Sequence, residues 1–108
     1  MVYTIEEIRK IVTPIAEKYQ LKAVYLFGSY ARGTATDRSD IDLIVDTTGT
    51  GLDTLFKLGG VYNDFADAFC KPVDMITVSS LEQPTARPSE IGFRKNVMEE
   101  RMTVYAAA

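Results

Sequence analysis

Histidine is absent from all 108 residues, which removes Ser-His-Asp and Cys-His triads, histidine-ligated zinc and any histidine general base. Chemistry in this chain falls to carboxylates, hydroxyls and cationic side chains. Cysteine occurs once, at Cys70, so no internal disulfide can form and a disulfide-stapled secreted scaffold is excluded. A core thiol is its expected role. Long apolar runs are missing as well: stretches such as Ala23 to Phe27 are five residues long, far short of the roughly 20 that a membrane span needs. Basic charge is scarce. Twelve Lys plus Arg against fifteen Asp plus Glu leave a net charge of −3, and no dense Lys/Arg run supplies the counterion-releasing face of a non-specific nucleic-acid binder. At the N-terminus, Glu6 and Glu7 stand where a secretory leader carries positive charge, so a cytoplasmic protein is expected.

What is present fits one soluble domain spanning 1–108. The chain is 46% hydrophobic and 25% charged, an ordinary globular balance at a length with no room for a second domain. Thr4 followed three residues later by Glu7 predicts a capping box at a helix start. Ile5, Ile8, Ile11, Val12, Ile15, Ala16 and Tyr19 then recur at helical spacing. Pro14 interrupts them, which predicts a kink or a restart with Thr13 as a second cap. Ala23 to Phe27 reads as a buried strand ending at Gly28, and Ile41 to Val45 as a second. Leu52 to Phe69 follows a helical period through Gly59-Gly60, where a bend or close packing against the sheet is expected. Val73 to Val78 reads as a third strand. Pro84 and Pro88 bracket a loop, Ser89 is a candidate cap for a helix to about Glu100, and Met102 to Tyr105 reads as a short last strand. This order predicts an α+β, two-layer architecture, a small mixed sheet covered by helices.

The chemistry concentrates between Gly28 and Asp46. Gly28-Ser29 ends a strand and opens a helical turn, so backbone N–H groups and the serine hydroxyl can face a phosphate; taken alone, the pair is equally a strand-to-helix turn with a serine cap. Asp40 and Asp42 lie two apart at the start of a strand, and the strand period of two puts both on one face with α-carbons roughly 6.5–7 Å apart. Two carboxylates so placed can share a pair of hard cations. Asp74 interrupts the otherwise apolar Val73 to Val78, and a carboxylate buried there needs a partner, either a divalent metal or an arginine. Two arginines and four aspartates between Gly28 and Asp46 make a local excess of acid suited to Mg²⁺, which takes oxygen ligands.

These residues resemble the nucleotidyltransferase superfamily that includes the DNA polymerase beta catalytic domain, whose signature is a Gly-Ser, an Asp-x-Asp on the next strand and a third Asp on a later strand. The wording Gly28-Ser29-x-Ala31-Arg32-Gly33 followed by Ser39-Asp40-x-Asp42-Leu43 is most similar to the minimal nucleotidyltransferases, or MNT proteins, found as antitoxins beside HEPN-domain toxins. The resemblance implies the polymerase beta-like fold, with Asp40, Asp42 and Asp74 as catalytic ligands of two Mg²⁺ ions and Gly28 and Ser29 as donors to the terminal phosphates of a nucleoside triphosphate, ATP above all. Arg32 either touches phosphate or braces the loop by hydrogen-bonding the aspartates. Ser39 reads as a local hydrogen-bonding residue near the nucleotide, and Tyr30 and Arg38 as loop residues that approach it or lie exposed.

The implied reaction moves a nucleoside monophosphate to a hydroxyl of a partner protein, in the MNT family a tyrosine of the HEPN toxin, within a hetero-oligomer. Lacking histidine, this chain is not itself a HEPN ribonuclease, whose motif ends in one. Two other readings stand beside this one. A small-molecule transferase of the aminoglycoside type carries an extra helical domain for its acceptor, and a purely binding antitoxin would leave the acidic trio idle.

Overall fold

The computed structural model describes residues 2–108. Helix α1 (Ile5–Lys18) starts at the predicted box: Thr4 Oγ1 accepts from the Glu7 N–H at 3.1 Å, and the Glu7 carboxylate accepts from the Thr4 N–H at 2.9 Å. The helix runs through Pro14 without restarting. Thr13 is no second cap; its hydroxyl donates to the Arg9 carbonyl at 2.7 Å, next to the Lys10 carbonyl that a proline cannot satisfy.

Strand β1 (Ala23–Phe27) leads into the short α2 (Gly28–Arg32), and β2 (Ile41–Asp46) returns antiparallel beside β1, pairing Phe27 with Asp42. Helix α3 (Leu55–Phe69) then crosses over so that β3 (Val73–Thr77) lies parallel to β2, as a parallel pair requires. Its cap is Thr54, so it begins later than the apolar period from Leu52 predicts. Gly59 and Gly60 lie within it unbroken, and a Cβ on Gly60 would come 3.6 Å from the Tyr19 hydroxyl. That is an ordinary contact, and a Cβ on Gly59 would meet nothing within 4 Å, so neither a bend nor close packing against the sheet is found there.

Thr77 ends β3 one residue early, because its hydroxyl accepts from the Ser80 N–H and opens the short α4 (Val78–Leu81). Helix α5 (Pro88–Glu100) starts with proline in its first turn and Arg87 at the cap position, so Ser89 lies inside the helix and caps nothing. Strand β4 (Met102–Ala106) closes the sheet on the far side of β1, giving the order β3-β2-β1-β4. The fold is α+β, a mixed four-stranded sheet with helices on it.

Alternation along the strands divides the side chains between two faces. Val24, Leu26, Ile41, Leu43 and Val45 point to the main core with Ile8 and Val12 of α1 and Phe65 and Phe69 of α3. The opposite face carries a smaller cluster in which Phe27 and Ile44 meet Val97 of α5. Asp42 and Asp74 share that second face, at the end where β1 gives way to α2. Cys70 corrects an expectation. It is exposed at the C-cap of α3 with φ +54°, past the helical face that enters the core, and its thiol donates to the Asp67 carbonyl. Among the described residues no helix is long and apolar enough to cross a membrane.

Candidate active site

The site is built on a strand register. Asp42 of β2 and Asp74 of β3 are direct partners in the parallel pair, so their side chains leave the same face about 4.8 Å apart at the backbone. Asp42 is half-buried, whereas Asp74 lies exposed on an edge strand, where the sequence pattern suggests a core position. Asp40, also exposed, precedes β2 on the same side of the register. Burial pushes the Asp42 carboxyl up to about 6, reinforced by the neighbouring charges of Asp74 and Asp40 and opposed by Arg32. The three acids thus act on one point.

Against that point lies the backbone of Gly28. A Cβ there would come 2.2 Å from Asp42 Oδ2, and φ is +69°, a conformation that L side chains avoid. The Gly-Ser turn therefore needs glycine for two separate reasons, the close approach of the carboxylate and the left-handed backbone. Ser29 follows at the start of α2, half-buried, its carbonyl accepting from the Thr34 N–H at 2.9 Å.

Other sequence-predicted residues fall differently. Arg32 makes no brace to the aspartates; its guanidinium donates to the Glu100 carboxylate at 3.1 Å and reaches Asp42 only through its field. Ser39 is the local residue expected, its hydroxyl accepting from the Thr36 N–H at 2.8 Å within the loop. Arg38 is exposed in the same loop. Tyr30 leaves the site altogether: it is buried in the main core, where Lys71 donates to its hydroxyl at 3.2 Å. A helix of one turn sends successive side chains to different sides, and Tyr30 takes the inward one.

One part of the site escapes the motif. A cleft of about 190 Å³ opens beside Gly28 and Arg32, walled by Phe27 and by Phe93, Asn96 and Glu100 of α5. Phe93, Asn96, Val97 and Glu100 fall at the i, i+3, i+4, i+7 spacing of a helical face. That period was the available signal, but it says nothing about which part of the fold the face meets.

Among the described residues no three or more acidic or thiol side chains are grouped so as to hold a metal ion by themselves. The donor chemistry nonetheless suits a hard cation. Mg²⁺ is characteristically held by one or two carboxylates together with substrate phosphates rather than by an all-protein cage, and the Asp42–Asp74 pair beside a glycine turn has that composition.

Comparison with known proteins bears on the family and the fold. The family model "Polymerase beta, Nucleotidyltransferase" matches residues 9–106. A relative from Methanocaldococcus jannaschii named "Putative protein adenylyltransferase" is 37% identical over 84 residues, covering 78% of this chain and 84% of the relative. Among solved structures, a toxin-antitoxin complex with AMP-PNP superposes with a TM-score of 0.68 at 21% identity, covering 92% of this chain and 73% of that one. A tri-AMPylated Shewanella oneidensis HEPN toxin in complex with MNT antitoxin gives 0.64 at 16% identity, covering 96% and 74%. At such identities the structural likeness speaks for the fold. The match of the family model over nearly the whole chain speaks for descent, and this protein belongs to the polymerase beta nucleotidyltransferase family.

Proposed function

We propose that this chain is a Mg²⁺-dependent protein adenylyltransferase that moves AMP from ATP to a hydroxyl of a HEPN-type toxin and so neutralises it. The observation that carries the reading is the register pairing of Asp42 with Asp74 against a glycine at which any Cβ would collide with the Asp42 carboxylate. The name of the Methanocaldococcus jannaschii relative supports protein adenylylation, and the HEPN–MNT complex supports the partner.

In this mechanism Asp40, Asp42 and Asp74 would hold the two Mg²⁺ ions. When bound, the ions neutralise the phosphates and ease ionisation of the acceptor hydroxyl. The Gly28 backbone and the Ser29 N–H and hydroxyl hold the terminal phosphates, where charge accumulates as pyrophosphate leaves. Arg32, held by Glu100, lends positive field at the edge of the site. Asp74, exposed on its edge strand, takes the acceptor proton. The acceptor oxygen bonds to the α-phosphorus in line, and the bond to the bridging oxygen of pyrophosphate breaks.

The test is incubation of the chain with Mg²⁺, a co-encoded HEPN protein and ATP labelled at the α-phosphate. Label is expected on the HEPN protein, absent with γ-labelled ATP, and lost in Asp42→Asn and Gly28→Ala. Label on a small molecule instead, or toxin neutralisation that survives Asp42→Asn with no transfer, overturns the reading.

A further inference from the structure

Resting on that reading, we infer that the cleft under α5 is an adenine-selective nucleobase site in which Phe93 supplies the stacking face and Asn96 reads the base edge. The cleft shares Gly28 and Arg32 with the acid site, so it adjoins the turn of the proposed phosphate contacts, and the α-phosphate and ribose of a bound nucleotide would span from that turn to the base. At about 190 Å³ it is smaller than the 300–1,000 Å³ of a typical small-molecule pocket, a volume for one ring system rather than a whole nucleotide.

Phe93 is 46% exposed although it meets the buried Phe27 edge to face, with ring centroids 6.2 Å apart. Half of a large apolar ring therefore borders an opening next to the phosphate turn. Aromatic faces take bases by stacking whatever their identity. Selectivity falls to Asn96, which is exposed, lines the same cleft and has no hydrogen-bond partner among the described residues. A carboxamide matches adenine in two bonds at once, its oxygen accepting from the exocyclic amine and its nitrogen donating to the adjacent ring nitrogen. Guanine presents two acceptors on that edge and leaves the amide oxygen opposed. Arg32 and Glu100 line the same cleft paired with each other.

Equilibrium binding of Mg-AMP-PNP, Mg-GMP-PNP and Mg-tripolyphosphate to the intact chain separates the base from the phosphates. Wild type is expected to bind AMP-PNP tighter than either of the others. Phe93→Ala should reduce the advantage of AMP-PNP over tripolyphosphate by about 10-fold while tripolyphosphate affinity stays unchanged, and Phe93→Trp should retain it. Asn96→Leu should reduce the preference for AMP-PNP over GMP-PNP by about 10-fold. If tripolyphosphate binds as tightly as AMP-PNP, or if Phe93→Ala and Asn96→Leu leave both ratios unchanged, the base site is wrong while the transferase reading stands. If no triphosphate binds at all, both fall.

Discussion

Burial beside Asp74 and Asp40 holds the Asp42 carboxyl near 6, above its ordinary 3.8, so ionising it at neutral pH works against the fold. The sign follows from the direction of the shift. Below about pH 4 the group is protonated folded or unfolded and has no effect; between about 4 and 6 the unfolded chain ionises first and stability falls; above the folded value the penalty is complete. In EDTA, Asp42→Asn is therefore expected to unfold at a higher temperature than wild type at pH 7.5. Discounted for its half-exposed setting, the gain is on the order of 1 kcal/mol, and thermal melts should show it disappear by about pH 4. On the proposed mechanism the same substitution is expected to abolish transfer, since an amide is a poor ligand for a hard cation. A variant that is both inactive and less stable at pH 7.5 would contradict this account of Asp42.

Among the elements, α5 is the one whose position decides the shape of the site, and it buries little of its own surface. Val97 is its one buried residue, and Ile91 and Met98 stay half-exposed. Its tie to α2 is the Arg32–Glu100 pair, with the two side chains 49% and 38% exposed. Exposed pairs of this kind contribute about 0.2–1 kcal/mol. Arg32→Gln and Glu100→Gln should each lower stability in urea unfolding by no more than about that amount, with double-mutant coupling inside the same range. Arg32→Gln alone should raise the Asp42 pKa further, because Arg32 opposes its rise, and carboxyl NMR titration would register the difference. A fall of several kcal/mol would mean that the pair is buried in solution.

Over the whole molecule, stability resides on the sheet face away from the acids. Phe65→Ala, in a fully buried position, is expected to cost about 3–5 kcal/mol, a large part of what a domain of this size possesses. Phe56→Ala on the same helix, 92% exposed, should change stability by less than about 0.5 kcal/mol; denaturant melts distinguish the two at once. The α1 cap, the four strands and the Gly28 turn were legible because each rests on a local rule: a capping box, a run of strand-forming residues, a glycine at a turn. What was not legible depends on meeting a distant segment. Tyr30 and Cys70 exchanged their expected environments because one turn of helix and one left-handed cap decide which way they face. Arg32 has its partner 68 residues away in Glu100, and the role of Phe93 and Asn96 depends on where α5 lands.

The hairpin of β1 and β2 means that Gly28, Ser29, Asp40 and Asp42 come together through a single short return of the chain, with Asp74 added by one crossover. Residues 78–101 add no acid to the site and can vary without dislodging it, whereas β4 must stay, because it flanks β1 in the sheet and buries Val104 in the core. A scaffold so divided keeps its reaction while leaving its choice of nucleotide and of recipient open to mutation.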